Sequence, residues 1–312
     1  MPFVVLLLVG FAQLPTDREA EYRVETTIKV SSTGGGVIQA FAPIPREWPE
    51  QRIEAVAPQT VRCKAKSESV PPGAAAMEIS TAQLRPKEVA SVTYVQRVFV
   101  KPRAPKRAED YPSLPKLDAK SKAYVMPTPT IDPSDAAIKK KAAEVCKDET
   151  VPWEKARKLS LWTFNHLEYK LMAYTSAKEA FNAKIGDCEE RSSLFIALCR
   201  SQGIPARSVI SPGKKRTESG HCWTEILLAD VDGNPEWLPV DVGQRWFGEL
   251  PIAPMVLQKG DSYPKFGAGR QRVLGHWARG GSGHLTLEYE QEVTPISANA
   301  ILDPTQGRTP TR

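Results

Sequence analysis

The hydrophobic period of this chain changes midway. Tyr22, Val24, Thr26, Ile28 and Val30 alternate with Arg23, Glu25, Thr27 and Lys29. A two-residue repeat sends alternate side chains to opposite faces of a strand. Beyond Asp135 the repeat lengthens, and Ile138, Ala142 and Val145/Cys146 share one stripe, as on a helix. Beyond the helices the chain returns to strands, and helices followed by antiparallel strands make an α+β domain. The 312 residues suit about two domains at roughly 150 residues each.

The first half reads as a small β-sandwich over residues 20–104. After the strand at Tyr22–Val30, Gly34-Gly35-Gly36 makes a turn and Val37–Ala42 returns. Val61/Cys63/Ala65, Met77/Ile79 and Val92–Val100 supply further strands without helical period. Residues 105–132 read as a proline-rich basic linker. The 27 prolines exceed the usual share of about 5% and exclude an all-helical bundle. The formal charge of +6 is local, because Arg85–Lys122 holds ten bases against four acids. No nucleic-acid module accompanies this stretch, so it reads as a solvated linker and nucleic acid is not an expected partner.

Phe3–Ala12 is the longest apolar run, broken only by Gly10. It falls short of the roughly 20 residues of a membrane span but suits the core of a signal peptide. Gly10-Phe11-Ala12 offers small residues for cleavage, so residues 1–12 are read as a signal peptide and the protein as secreted or periplasmic. The five cysteines are an odd number, so one thiol stays unpaired within a monomer.

From 133 the chain reads as a second domain, to about 265, with residues 266–312 as a C-terminal strand and tail. Ser134 or Asp135 caps a first helix, and a second runs from about Pro152 to Glu168. A third starts at Cys188, with Asp187 as N-cap and Glu190 completing a capping box. Gly203 and Pro205 stop it. Strands follow at Ala206–Ile210, His221–Leu228 and Trp237–Val242, the last two joined through Asp232-Gly233.

Cys188 stands where unsatisfied helix N–H groups and about half a positive charge favour a thiolate, which predicts a lowered thiol pKa. Asp187 and Glu189 oppose that shift, so a nearby imidazolium matters. A nucleophilic thiol also wants a histidine base and a third group to orient it. Of the four histidines, His166 reads as structural. His221 opens a strand, and Asp241 lies in the strand paired with it. Antiparallel neighbours can bring these two within about 5 Å.

The stretches GDCEERSSLFIALCRSQGIPAR (186–207), GHCWTEILL (220–228) and WLPVDVG (237–243) resemble the transglutaminase-like superfamily. The resemblance spans about residues 130–245. It implies a papain-like α+β core behind the β-sandwich and a triad of Cys188 as nucleophile, His221 as base and Asp241 as orienter. Cys222 departs from the pattern, since relatives usually carry alanine there. Its strand position faces it away from His221. The Cys188 N–H is one oxyanion donor, and Asn182 is a weak candidate for the second. Cys188 and Cys199 lie about 16 Å apart along one helix, so they cannot share a zinc ion. No metal or cofactor is expected. The reading is a thiol enzyme acting on an amide or peptide carbonyl of a protein or peptide substrate, as hydrolase or acyltransferase. The rival is a catalytically silent protein-binding or scaffold module on the same fold.

N-terminal sequencing of exported protein should find residues 1–12 removed. Retention of Met1 in that material would refute the signal-peptide reading.

Overall fold

The computed structural model describes residues 19–218 and 220–300, so the expected signal segment lies outside the described residues. The first strands are β1 (Ala20–Ser32), β2 (Ile38–Ile44), β3 (Gln51–Ala55), β4 (Gln59–Val61), β5 (Cys63–Val70), β6 (Ala74–Thr81) and β7 (Ala90–Val100). There follow α1 (Ala136–Val145), α2 (Pro152–His166), β8 (Glu168–Tyr169), α3 (Ala177–Ala183), β9 (Ile185–Gly186) and α4 (Cys188–Ser201). The chain then forms β10 (Ala206–Ser211), β11 (His221–Ala229), β12 (Pro235–Asp241), β13 (Trp246–Phe247) and β14 (Gln258–Lys259). It ends with β15 (Tyr263–Pro264), β16 (Arg270–Gln271), β17 (Trp277–Gly280) and β18 (Leu285–Pro295).

The early strands form a sandwich. One sheet has the order β18-β1-β7-β3, with β4 also on β7, and the other has β17-β2-β6-β5. Tyr22, Val24, Ile28 and Val30 are all turned inward, as the alternating period requires. The tail read as 266–312 has a larger part than expected. Its β18 pairs with β1 from Tyr22↔Pro295 to Ser32↔Leu285, and β17 pairs with β2. The helical half is therefore inserted between β7 and β17 and held at both ends.

In that half, β13-β12-β11-β10-β14 form an antiparallel sheet. α4 packs on β10 and β11 and against α1, α2 and α3. Every residue from Glu190 to Arg200 is buried. This central position explains why Leu194–Cys199 is apolar on all sides. Buried Arg200 meets Asp261 at 2.7 Å. Asp135 caps α1, accepting from the N–H groups of Ala137 and Ile138. The short α3 shows no helical period in sequence, although Ser176 and Glu179 form a reciprocal capping box at its start.

Residues 105–132 correct the expectation of a solvated linker. Lys106 N–H donates to the Gly248 carbonyl and its Nζ lies 2.9 Å from Glu236. Tyr111 is buried, donates to Glu236 and stacks on Trp153 at 5.7 Å. Tyr124 meets Trp237 edge-on at 5.1 Å, and Ile131 is in the core. Single anchors at irregular spacing hold the segment, and these have no period to read. A buried ion cluster joins the two halves. Glu225 pairs with Arg207, Lys259 and Arg103, and Lys259 also meets Glu50 beside β3. Burial opposes the Glu225 charge, but these cations hold its pKa at about 2. Glu225 thus gives buried Arg207 its acidic partner.

Tyr111→Ala should lower unfolding stability by about 3 kcal/mol in urea titrations, as for other buried aromatic truncations. A loss of only about 0.5 kcal/mol would show that the segment is loosely attached.

Candidate active site

The helix that carries Cys188 is fixed by local chemistry. Asp187 Oδ1 accepts the Glu189 N–H at 2.8 Å, and Glu190 Oε2 accepts the Asp187 N–H at 3.1 Å. Glu190 is fully buried, and its Oε1 accepts the Thr175 N–H at 2.8 Å. A Cβ on Gly186 would lie 2.4 Å from the Glu190 Cβ, so glycine is required before the cap. β8 and β9 pair in parallel and bring residues 168–170 beside this turn.

β11 and β12 supply the other two residues. They pair from Thr224↔Val240 to Ala229↔Pro235. Continued to its end, that register sets His221 opposite Gly243, two positions past Asp241. The pair is therefore diagonal across one face. His221 Nε2 and Asp241 Oδ2 are 2.7 Å apart, and both residues are buried. Asp241 Oδ1 accepts the Gln244 N–H at 3.0 Å, so each carboxylate oxygen has a fixed partner. The Trp223 ring stacks over the imidazole at 6.0 Å. A Cβ on Gly220 would lie 2.0 Å from the Ser211 carbonyl oxygen, which demands glycine before His221.

The half-buried Cys188 thiol stands near enough to the His221 imidazole for His221 to favour its anion. With Nε2 engaged by Asp241, Nδ1 is the nitrogen left for the thiol. The structure thus brings Cys188, His221 and Asp241 together. Asn182 lies exposed on α3. His166 bonds the Phe181 carbonyl at 2.8 Å and stacks on Trp162, a structural role. Trp223 belongs to the site and to a small apolar cluster. Trp237 sits instead under Arg207, 3.8 Å away.

The electrostatics correct one expectation. Burial pushes the Cys188 thiol up, and the neighbouring His221 only partly opposes it. The helix terminus does not bring a net fall. Burial also raises the other four thiols, Cys222 to about 12. Among the five, Cys188 is the one whose thiol an imidazole acts on. Cys222 is buried, which keeps it out of competition. For His221, burial opposes the charge, but the Asp241 carboxylate outweighs it and holds the pKa at about 10.

Two arginines at the site carried no sequence signal. Buried Arg191, one turn after Cys188, donates to the Leu167 carbonyl at 2.9 Å and lies 5.0 Å from the Phe164 ring. Its charge is felt by Asp241 and Cys188. Arg272 reaches in from the segment after β16 and pairs with Glu189. Neither has a periodic pattern or a motif, and only the tertiary fold brings them here.

Residues 139–242 match the family model of the transglutaminase-like superfamily. A solved structure from Cytophaga hutchinsonii, named as a candidate cysteine protease, covers 91% of this chain and 93% of its own. It does so at 15% identity and a TM-score of 0.60, a likeness of fold. A candidate protease from Parabacteroides distasonis covers 69% of this chain and 43% of its own at 13% identity, and its TM-score of 0.29 is too low to argue from. No curated protein matches by sequence.

A histidine with a raised folded-state pKa stabilises the fold fully below its unfolded value of about 6.5. That contribution is lost as pH rises through about 10. Urea midpoints should therefore fall between pH 6.5 and 10, and fall less in Asp241→Asn. Parallel profiles for the two proteins would show that Asp241 does not hold the His221 charge.

Proposed function

With residues 139–242 forming a transglutaminase-like domain, we propose that this protein is a thiol enzyme acting on amide or peptide carbonyls through a Cys188 thioester. One observation carries the reading: the His221 imidazole is hydrogen-bonded to the Asp241 carboxylate and stands near enough to the Cys188 thiol to favour its anion. That is the connectivity of an activated nucleophile, its base and an orienting group.

The proton passes from Cys188 to His221, whose charge Asp241 stabilises. The sulfur attacks the carbonyl carbon, and the oxyanion forms beside the Cys188 N–H, a donor outside the helix ladder. The C–N bond breaks and the leaving amine takes the proton from His221. Water then attacks the thioester, giving up a proton to His221 and releasing the acid and the thiolate. An amine in place of water gives acyl transfer by the same steps. The substrate in this proposal is a protein or peptide. Export to the periplasm or the medium is also part of it, supported by the apolar run Phe3–Ala12.

Iodoacetamide near pH 6 should label Cys188 before the other four thiols. His221→Ala should slow that labelling about 100-fold at pH 6, and much less at pH 10, where thiols ionise without help. Asp241→Ala should have a smaller effect, since it acts through the imidazole. Equal labelling of several cysteines, or indifference to His221→Ala, would favour a silent scaffold.

A further inference from the structure

α4 buries a cation beside the reacting residues. Arg191 follows Cys188 by three positions, and residues so spaced are neighbours on one helix face. A long helical side chain leans back toward the N-terminus of its helix, so Arg191 leans toward the turn that carries Cys188. Its contacts fix where the guanidinium ends. Nη2 donates to the Leu167 carbonyl at 2.9 Å. Leu167 leads into β8, whose Glu168 and Tyr169 pair with Ile185 and Gly186, just ahead of the Asp187 cap. On the other side, a Cβ on Gly243 would lie 3.8 Å from Arg191 Nη1 and 3.4 Å from Asp241 Oδ1. The guanidinium and the carboxylate thus flank one backbone position, and the charge sits between the start of α4 and the end of β12.

This place is unfavourable for a cation. Arg191 is 7% exposed, and its Nε is buried with no hydrogen-bond partner. The rings of Phe164 on α2 and Tyr169 on β8 lie 5.0 and 5.3 Å from the guanidinium carbon. Among the described residues Arg191 makes no ion pair. Burying a guanidinium with a donor unfilled is unfavourable, and a neutral donor would tether the Leu167 carbonyl equally well. A role for the charge itself is therefore needed. The ionisable groups that face it are Tyr169 from β8, Asp241 from β12, and Cys188 and Asp187 from the start of its own helix. Arg245, in the turn after β12, lies over the Phe164 ring at 5.2 Å.

We propose that Arg191 is a positioning residue of the site, its buried charge holding the Asp241 carboxylate and the Cys188 thiolate in their ionised forms. The proposal rests on Cys188 being the nucleophile. It gives the thiolate a second cation, on α4 itself, against the Asp187 carboxylate that opposes it. The same cation disfavours a charged imidazole, but Asp241 holds the His221 pKa at about 10, so at pH 7 His221 is protonated with or without Arg191. A neighbouring opposite charge favours an anion by about a pKa unit, which is a tenfold change in thiolate fraction.

The test is the rate of Cys188 alkylation by iodoacetamide, an uncharged probe, read by peptide mass spectrometry from pH 6 to 10. Arg191→Gln keeps a donor for the Leu167 carbonyl and loses the charge. It should slow Cys188 labelling about tenfold at pH 7 and shift the pH profile upward. Arg191→Lys keeps the charge and should stay within about threefold of the parent on an unshifted profile. A structural tether would make the two variants alike. Equal slowing by both, or no slowing by Arg191→Gln, overturns the proposal. If Arg191→Gln fails to fold, Arg191→Met takes its place, since an unbranched apolar side chain packs beside the two rings without charge. The same slowing and shift are expected of it, and an unchanged rate refutes the role. The peptide map also shows which thiol labels first. Fastest labelling at another cysteine counts against the nucleophile assignment, whereas Cys188 labelled first but indifferent to Arg191→Gln fails this proposal alone.

Discussion

The buried hydrogen bond between His221 and Asp241 is the interaction on which the rest of the site depends. It fixes which imidazole nitrogen faces the thiol and keeps a positive charge available in a buried place. Much of the surrounding structure serves its geometry. The diagonal register of β11 and β12 sets the two side chains on one face. The Gln244 N–H holds the second carboxylate oxygen, and Trp223 covers the ring. The sandwich contributes too. The segment leading into β11 is bonded to β18 through Val293 N–H to the Lys214 carbonyl and Arg216 N–H to the Gln291 carbonyl. The strand that returns from the far end of the chain thus steadies the approach to His221.

Burial and pairing act against each other at Cys188. Burial disfavours the thiolate, and the helix N-terminus does not overcome it. What favours the anion is the imidazole beside it, held charged by Asp241. The thiol and the imidazole are therefore best understood as one titrating pair.

Features governed by local rules were legible in the sequence. The two-residue period of β1, the Asp135 cap of α1 and the Asp187–Glu190 box at α4 all depend on residues close in the chain. Cys188, His221 and Asp241 could be picked out because each sits at a readable element end. What depends on distant partners was not legible. Tyr111 and Tyr124 anchor the 105–132 segment as isolated aromatics among prolines. β18 carries a strand pattern, but nothing in it says that β1 is its neighbour. Arg272 is one arginine among many until the fold sets it against Glu189. The direction of the Cys188 shift is not legible, because a helix terminus is visible in sequence and desolvation is not.

The most direct test of the account is intact-mass spectrometry of the protein after brief exposure to peptide and glutamine-amide libraries, followed by acid quench. The account expects an acyl adduct on Cys188, released on standing at neutral pH and absent in Cys188→Ala. No adduct across broad libraries, or an adduct that persists in Cys188→Ala, would contradict it.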